Sequence, residues 1–383
     1  MTRRVFVFAI PLFLLIALVT SLSATAATLV PATPKIKAKG YLLMDFNSGR
    51  ILAESKSDTR MEPASLTKML SSYVIAYELA KGSINLNDQV TVSEKAWRMQ
   101  GSRMFIEVGN KVTVEQLLKG MIIQSGNDAT VALAEYVAGS EDAFVSLMNQ
   151  HAAELGMVDS HFVNSTGLPH KNHYTTPRDL ARLAHALIRD FPEHYEWYAT
   201  KKYTYNNISQ YNRNKLLWRN KFVDGIKTGH TESAGFCLVA SAMRDDMRLI
   251  SVVLGTRSEE ARAEESQKLL SYGFRFFETH RLYAANEALT TARIWKGAQE
   301  ELPLGLSEDL YLTIPKGQYK NLDASMDIDV RITAPAEKGA SFGKVNIKLG
   351  DEQYAQRELV ALSSIEKGSL WGSLIDEIKL LFE

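Results

Sequence analysis

Pro63-Ala64-Ser65-Leu66-Thr67-Lys68-Met69 heads an apolar run that continues to about Lys81 and stops at Gly82. Proline in the first turn and glycine just past the end is the polarity of a helix. Proline gives up an amide that has no partner there, and glycine tolerates the left-handed exit. Upstream, residues 41–46 and 51–54 flank Asn47-Ser48-Gly49-Arg50, a strand-turn-strand signal. Downstream, 112–138 and 143–155 carry helical spacing punctuated by Gly126 and Gly139, and 176–189 reads as a helix started near Thr175-Thr176-Pro177. Two β-rich apolar runs, 235–243 and 248–254, surround Arg244-Asp245-Asp246-Met247 as a second hairpin. A final helix is expected over 262–280, with Leu269, Leu270, Phe274 and Phe277 on one face. Hairpin, helices, hairpin and helix predict an α+β domain in which helices cover an antiparallel sheet.

The texture changes after about His280. Leu310, Leu312 and Ile314 alternate with Tyr311 and Thr313; Ile328, Val330 and Ile332 alternate with Asp329 and Arg331; Val345, Ile347 and Leu349 alternate with Asn346 and Lys348. A period of two predicts a small all-β domain over 281–363. At the end, 365–383 places Leu370, Trp371, Leu374, Ile375, Ile378, Leu381 and Phe382 on one helical stripe. Such a helix can lie in a bilayer interface, or it can dock on the β domain. Within 366–383 two basic residues meet four acidic ones, so anionic lipid would not attract it and apolar burial must supply the binding.

Composition narrows the classes. The chain has 383 residues, 45% hydrophobic and 23% charged, which excludes a largely disordered protein. Lys plus Arg equals Asp plus Glu at 44 each, so nothing in bulk recruits nucleic acid, and none is expected as a partner. The single Cys237 excludes an internal disulfide framework. Arg3 and Arg4, an apolar run over 5–19 and Ala24-Thr25-Ala26 read as a signal peptide cleaved after Ala26. The run falls short of the ~20 residues a membrane span needs, and Pro11 interrupts it. Cleavage would leave 42 basic against 44 acidic residues, a net −2. The expected division is a leader over 1–26, a chemistry-bearing domain over 27–280, the β domain over 281–363 and the amphipathic helix over 364–383.

Three short motifs carry the chemistry. Ser65 and Lys68 share a helix face, so the Lys68 amine can reach the Ser65 hydroxyl and, when desolvated, act as its base. The helix N-terminus adds backbone donors there. Alone, Ser-x-x-Lys also fits an exposed helix start. Ser125-Gly126-Asn127 follows 60 residues on, between two helical stretches, and Lys227-Thr228-Gly229 a further 102 on, ahead of an apolar strand.

In this order and at these spacings the motifs resemble the penicillin-recognising serine transpeptidase and β-lactamase superfamily. The Ser-Gly-Asn form resembles its low-molecular-mass penicillin-binding proteins, the D-alanyl-D-alanine carboxypeptidases. The likeness extends through Gln124-Ser125-Gly126-Asn127-Asp128-Ala129, Asp224-Gly225-Ile226-Lys227-Thr228-Gly229-His230-Thr231 and Gly273-Phe274-Arg275-Phe276-Phe277-Glu278. It covers essentially the whole chain after the leader. It implies that Ser65 attacks the carbonyl between the two terminal D-alanines of a peptidoglycan stem peptide, that Lys68 takes the Ser65 proton, and that Ser125 passes a proton to the departing amine. It further implies that Asn127 orients Lys68 and the substrate amide, and that Lys227 supplies the cation that keeps Lys68 neutral. The Ser65 and His230 N–H groups would form the oxyanion hole. Lys227, Thr228 and Gly229 would receive the terminal carboxylate, assisted by Arg262 or Arg213, each of which also reads as a plain surface arginine. β-Lactams would acylate the same serine. The resemblance also implies the bacterial periplasm, with the C-terminal helix on the outer face of the inner membrane.

No cofactor is expected. His170 and His173 stand three apart, but no further His, Cys or Glu cluster accompanies them, so no metal is expected either. Cys237 reads as a buried thiol, and Tyr195, Trp197, Tyr198, Tyr203 and Tyr205 as packing. Three other functions remain open on the sequence. A β-lactamase would carry a Glu-x-x-Leu-Asn stretch, and none lies between Asn127 and Lys227. An endopeptidase on peptide cross-links would use the same site. A non-catalytic envelope scaffold would be free to lose Ser65, Lys68, Ser125 and Lys227, which are all present.

Overall fold

The computed structural model describes residues 30–380. The expected leader over 1–26, and Leu381 and Phe382 of the expected tail stripe, lie outside them. The first domain is built on a five-stranded antiparallel sheet in the order Ile51–Ser55, Gly40–Asp45, Met247–Thr256, Gly235–Arg244, Val223–Thr231. Both expected hairpins are present. The second turns on the two residues Asp245 and Asp246, and Asp245 takes the positive φ (53°) that a tight hairpin demands. Both faces of the sheet are covered. Leu42, Val239, Ile250 and Val252 join one core with the helices on that side, while Leu43, Leu238, Ala240 and Val253 join a second core under the helix Glu259–Phe276. Burial on both faces explains why these strands read as continuous apolar runs rather than alternating ones.

The helix Thr67–Ala80 lies at the centre of the first core, and its residues Thr67 to Ala76 are all buried. A helix apolar all round is a core helix, and this one carries Lys68 inside with it. Around it pack the helices Asn127–Ala138, Glu141–Glu154 and Pro177–Asp190. The last is capped by the Thr176 hydroxyl, which accepts the Asp179 N–H, and has Pro177 in its first turn.

The helix expected over 262–280 ends at Phe276. Residues Phe277–Tyr283 form a strand antiparallel to Leu310–Pro315. Phe277 is buried in the strand, on the apolar face that helical spacing also assigns it, so that spacing does not mark the switch. The strand is favoured because Thr279 then reaches Thr313 and the buried Asp45. That contact joins the domains, since Arg50 also donates to the Thr313 carbonyl and lies 4.3 Å over the Tyr354 ring.

The β region contains a six-stranded sheet in the order Leu322–Ile328, Ser341–Leu349, Glu352–Ala361, Glu301–Gly305, Ala288–Trp295, Ile332–Thr333. Leu304, Leu312, Ile314, Val345, Ile347 and Leu359 fill its core. The alternation read through Ile328, Val330 and Ile332 is not one strand. The chain bends between them, and Val330 is fully exposed. The terminal helix is Leu370–Leu380 and starts later than expected, because Ile365 is buried in a bridge to Ala336. The helix turns its polar side to the β region. Asp376 accepts the Lys296 N–H at 2.7 Å, and Glu377 pairs with the Lys296 ammonium. Leu370, Trp371, Leu374, Ile375 and Ile378 face solvent. Among the described residues no helix is long and apolar enough to cross a membrane.

Candidate active site

Three elements bring the motifs to one cavity of about 320 Å³, lined by Ser65, Ser102, Asn127, Thr166, Arg213 and His230 among others. A larger cleft of about 830 Å³ lies beside the helix Glu259–Phe276 and contains none of the three motifs. Ser65 sits in the single 3-10 turn Ala64–Leu66 that leads into the central helix. Ala64 takes φ +48°, a left-handed value that costs a non-glycine residue about 1 kcal/mol or more and persists only where the surroundings impose it. The Thr67 hydroxyl supplies part of that, donating to the Ala64 carbonyl at 2.8 Å. Gly167 supplies the rest by close approach: a Cβ there would stand 1.8 Å from the Ala64 oxygen.

Lys68 Nζ lies 3.1 Å from Ser65 Oγ and donates to the Thr166 carbonyl at 2.6 Å. The side chain is 1% exposed. Burial, assisted by the nearby Arg213 charge and opposed by Asp128, brings its pKa down from 10.5 to about 7. Facing it, Lys227 Nζ donates to Ser125 Oγ at 2.9 Å and to the Thr228 carbonyl. Burial pushes Lys227 well below the lysine range, and the charges of Lys68, Arg213 and Arg262 push the same way. Lys68 and Lys227 each disfavour the other's charge, and Arg213 presses on both. Both lysines are over-supplied with positive charge until an anion enters.

Ser125 reaches Lys227 because the chain breaks there. A turn of π-helix, Gly120–Gln124, ends in Ser125 at φ +68°, and a new helix begins at Asn127. The Asn127 side chain donates to the Gln100 carbonyl at 2.6 Å, and its own N–H donates to the Ser102 carbonyl. It thus fixes the segment that walls the cavity, and the second hydrogen bond of Lys68 goes to Thr166 rather than to Asn127. Asp128, buried beside it, accepts the N–H groups of Met104, Phe105, Ile106 and Ala129. A carboxylate meeting four amides is a strong fixed anchor. It adjoins the Ser-Gly-Asn motif but was not singled out from the sequence.

Lys227, Thr228, Gly229 and His230 lie on the strand Val223–Thr231, at the sheet edge, and His230 and Thr231 at its end line the cavity. The His230 ring is exposed and stacks on Phe236 at 3.9 Å. The two arginines part company. Arg213 lines the cavity. Arg262 is buried, holds the Gly229 carbonyl, pairs with Glu259 and lies 5.7 Å over the Phe236 ring. It braces the strand from behind. Cys237, opposite Gly229 in the neighbouring strand, is fully buried and accepts the Gly255 N–H. His170 is exposed, whereas His173 is buried with its ring on Thr67. Among the described residues no group of three or more His, Cys, Asp or Glu side chains is placed to hold a metal ion.

Residues 27–258 match the family model described as D-alanyl-D-alanine carboxypeptidase, and 277–367 match the penicillin-binding protein 5 C-terminal domain. The chain belongs to the D-alanyl-D-alanine carboxypeptidase family. It is 45% identical over 363 residues to D-alanyl-D-alanine carboxypeptidase DacA of Escherichia coli strain K12, covering 93% of this chain and 90% of that one. The crystal structure of penicillin-binding protein 5 from Haemophilus influenzae superposes with a TM-score of 0.86 at 41% identity, covering 88% of this chain and all of the other. Penicillin-binding protein D2 of Listeria monocytogenes, in its ampicillin-bound form, superposes at 0.59 and 27% identity over 64% of this chain and all of that one. Membership makes this chain a serine-type D-alanyl-D-alanine carboxypeptidase and a penicillin-binding protein.

Proposed function

We propose that Ser65 is the nucleophile, Lys68 its base and Ser125 the proton donor in the removal of the terminal D-alanine from a peptidoglycan stem peptide. What supports this above all is the pair of contacts across one cavity: Ser65 with a buried Lys68 at 3.1 Å, Ser125 with a buried Lys227 at 2.9 Å. Neutral Lys68 accepts the hydroxyl proton as Ser65 Oγ bonds to the carbonyl carbon between the two D-alanines. The oxyanion is met by the Ser65 and His230 N–H groups, where fixed donors are worth most. The proton taken by Lys68 is passed through Ser125 to the departing amine as the peptide bond breaks. Water then hydrolyses the acyl-serine ester and releases a peptide one residue shorter. Lys227 and Thr228 receive the substrate carboxylate, which relieves the positive charge crowded there. Arg213, on the cavity wall, is the arginine placed to assist, with Arg262 acting through the Gly229 strand.

A β-lactam, whose ring amide mimics the scissile bond, would acylate the same serine. Division of the chain into a leader over 1–26, a catalytic domain to about 276 and a β pedestal beyond it belongs to the same proposal. So does a periplasmic location with the terminal helix resting its solvent-facing stripe on the inner membrane.

Incubation of the protein with a labelled penicillin, followed by mass spectrometry of its peptides, tests the assignment. A single adduct on Ser65 is expected. No adduct, or one elsewhere, overturns it. Incubation with a stem pentapeptide should release free D-alanine; cleavage confined to cross-linked dimers would instead mark an endopeptidase.

A further inference from the structure

His173 takes no part in the steps above, yet it is 2% exposed and fully engaged. Its Nδ1 accepts the Val163 N–H at 3.3 Å, so the neutral ring carries its proton on Nε2. That nitrogen lies 2.8 Å from Thr67 Oγ1. The Thr67 hydroxyl donates its own proton to the Ala64 carbonyl at 2.8 Å, so it accepts from His173. The three bonds therefore run in one direction, from Val163 through His173 and Thr67 to the Ala64 oxygen. Both side chains in this run, His173 and Thr67, are enclosed, Thr67 wholly so.

The Ala64 oxygen and the Ser65 N–H are the two ends of one planar, conjugated peptide group. A hydrogen bond received at the oxygen draws electron density toward it and makes the N–H at the other end a stronger donor, and aligned bonds reinforce one another in a low-dielectric interior. Gly167 closes over the same carbonyl, and its absent Cβ would stand 1.8 Å from it and 2.8 Å from Thr67 Oγ1. The carbonyl is thus sealed on the side that His173 and Thr67 serve.

We propose that His173 is a positioning residue that, through Thr67, polarises the Ala64–Ser65 peptide and strengthens the Ser65 N–H as an oxyanion donor. The proposal rests on the assignment of Ser65 as nucleophile with its N–H in the oxyanion hole. Burial and the charges of His161, His170 and Lys68 bring the His173 pKa down to about 4, so the ring stays neutral and the direction of the chain is fixed near neutral pH.

The test combines acylation kinetics with the infrared stretch of a carbon-13-labelled ester carbonyl in the acyl-enzyme formed from a penicillin. A stronger oxyanion hole lowers that frequency, which is a local reading that loss of packing alone does not move. His173→Leu can neither accept from Val163 nor donate to Thr67. His173→Gln can do both. Thr67→Val keeps the shape and removes the hydroxyl, whereas Thr67→Ser keeps the hydroxyl. His173→Leu and Thr67→Val are expected to slow acylation roughly 10-fold to 100-fold, below the loss of a whole oxyanion donor, and to raise the ester frequency. His173→Gln and Thr67→Ser are expected to stay within about threefold of the native rate and at the native frequency.

If His173→Leu does not fold, Thr67→Val carries the measurement. Native frequencies in Thr67→Val and His173→Leu, with Ser65 still acylated, overturn the polarising role and leave the nucleophile assignment standing. A glutamine variant as impaired as the leucine variant overturns it as well. If the native chain forms no ester on Ser65, the nucleophile assignment fails and this role falls with it.

Discussion

The turn that holds Ser65 and the helix at the chain's end are fixed in opposite ways. Around Ser65, a left-handed alanine, a hydroxyl, an imidazole, a buried ammonium and a glycine with no room for a methyl constrain one another. At the terminal helix, a hydrogen bond and an ion pair to Lys296 set the orientation among the described residues, and Leu370, Trp371, Leu374, Ile375 and Ile378 face outward. Chemistry needs groups held to fractions of an ångström, which only a packed, fully bonded interior gives. A surface element that must meet something outside the protein is better held lightly and by its polar side.

The contrast is sharpest at Gly167. Gly167→Ala should drive its methyl into the Ala64 carbonyl at a φ of +88°, costing about 3 kcal/mol and most of the penicillin acylation. Denaturant unfolding and acylation rates read the two effects. A tolerated alanine there would mean that the turn is looser than its contacts imply.

Next in size is a change in pH dependence. With neutral Lys68 as the proposed base and its pKa brought down to about 7, the acylation rate should rise as pH rises through 7. Arg213→Gln removes a cation that presses on Lys68, so the Lys68 pKa should rise and the midpoint of the rate profile should move to higher pH. A midpoint that stays put would show that burial alone sets it.

The smallest stability effect is expected at the tail. A chain ending at Ser369 keeps the buried Ile365 and the Gly368 bond to Lys296, so its unfolding free energy should match that of the chain through Glu383 within about 0.5 kcal/mol. Binding to phospholipid vesicles, followed by sedimentation, should be lost. Retained binding would show that the stripe is not the contact.

Much of the fold was legible because its signals are local. Pro63 and Gly82 bound the central helix, and the two hairpins announce themselves by turn residues between apolar runs. The switch at Phe277 was not, because an aromatic residue with a helical neighbour at Gly273 is also a good strand residue, and its partner strand lies more than thirty residues on. At the site, Ser65, Lys68, Ser125 and Lys227 were legible as spaced motifs. Thr166 was not, since it offers only a carbonyl, which every residue has. The roles of the arginines were not legible either: Arg262 is the more buried of two equally charged side chains, and only the path of the loop after Tyr211 shows that Arg213 lines the cavity. By spacing His173 pairs with His170 as a metal candidate, and spacing along the chain cannot reveal that only the His173 ring turns inward.

Cys237 has a practical consequence. It is the only thiol in the chain; it is fully enclosed, and burial raises its pKa to about 11, so thiol reagents at neutral pH leave it alone. The native protein is therefore already a silent background for site-directed labelling. A single Lys379→Cys substitution on the exposed side of the terminal helix would give one reactive position, and a polarity-sensitive dye there would report directly how deep that helix sits.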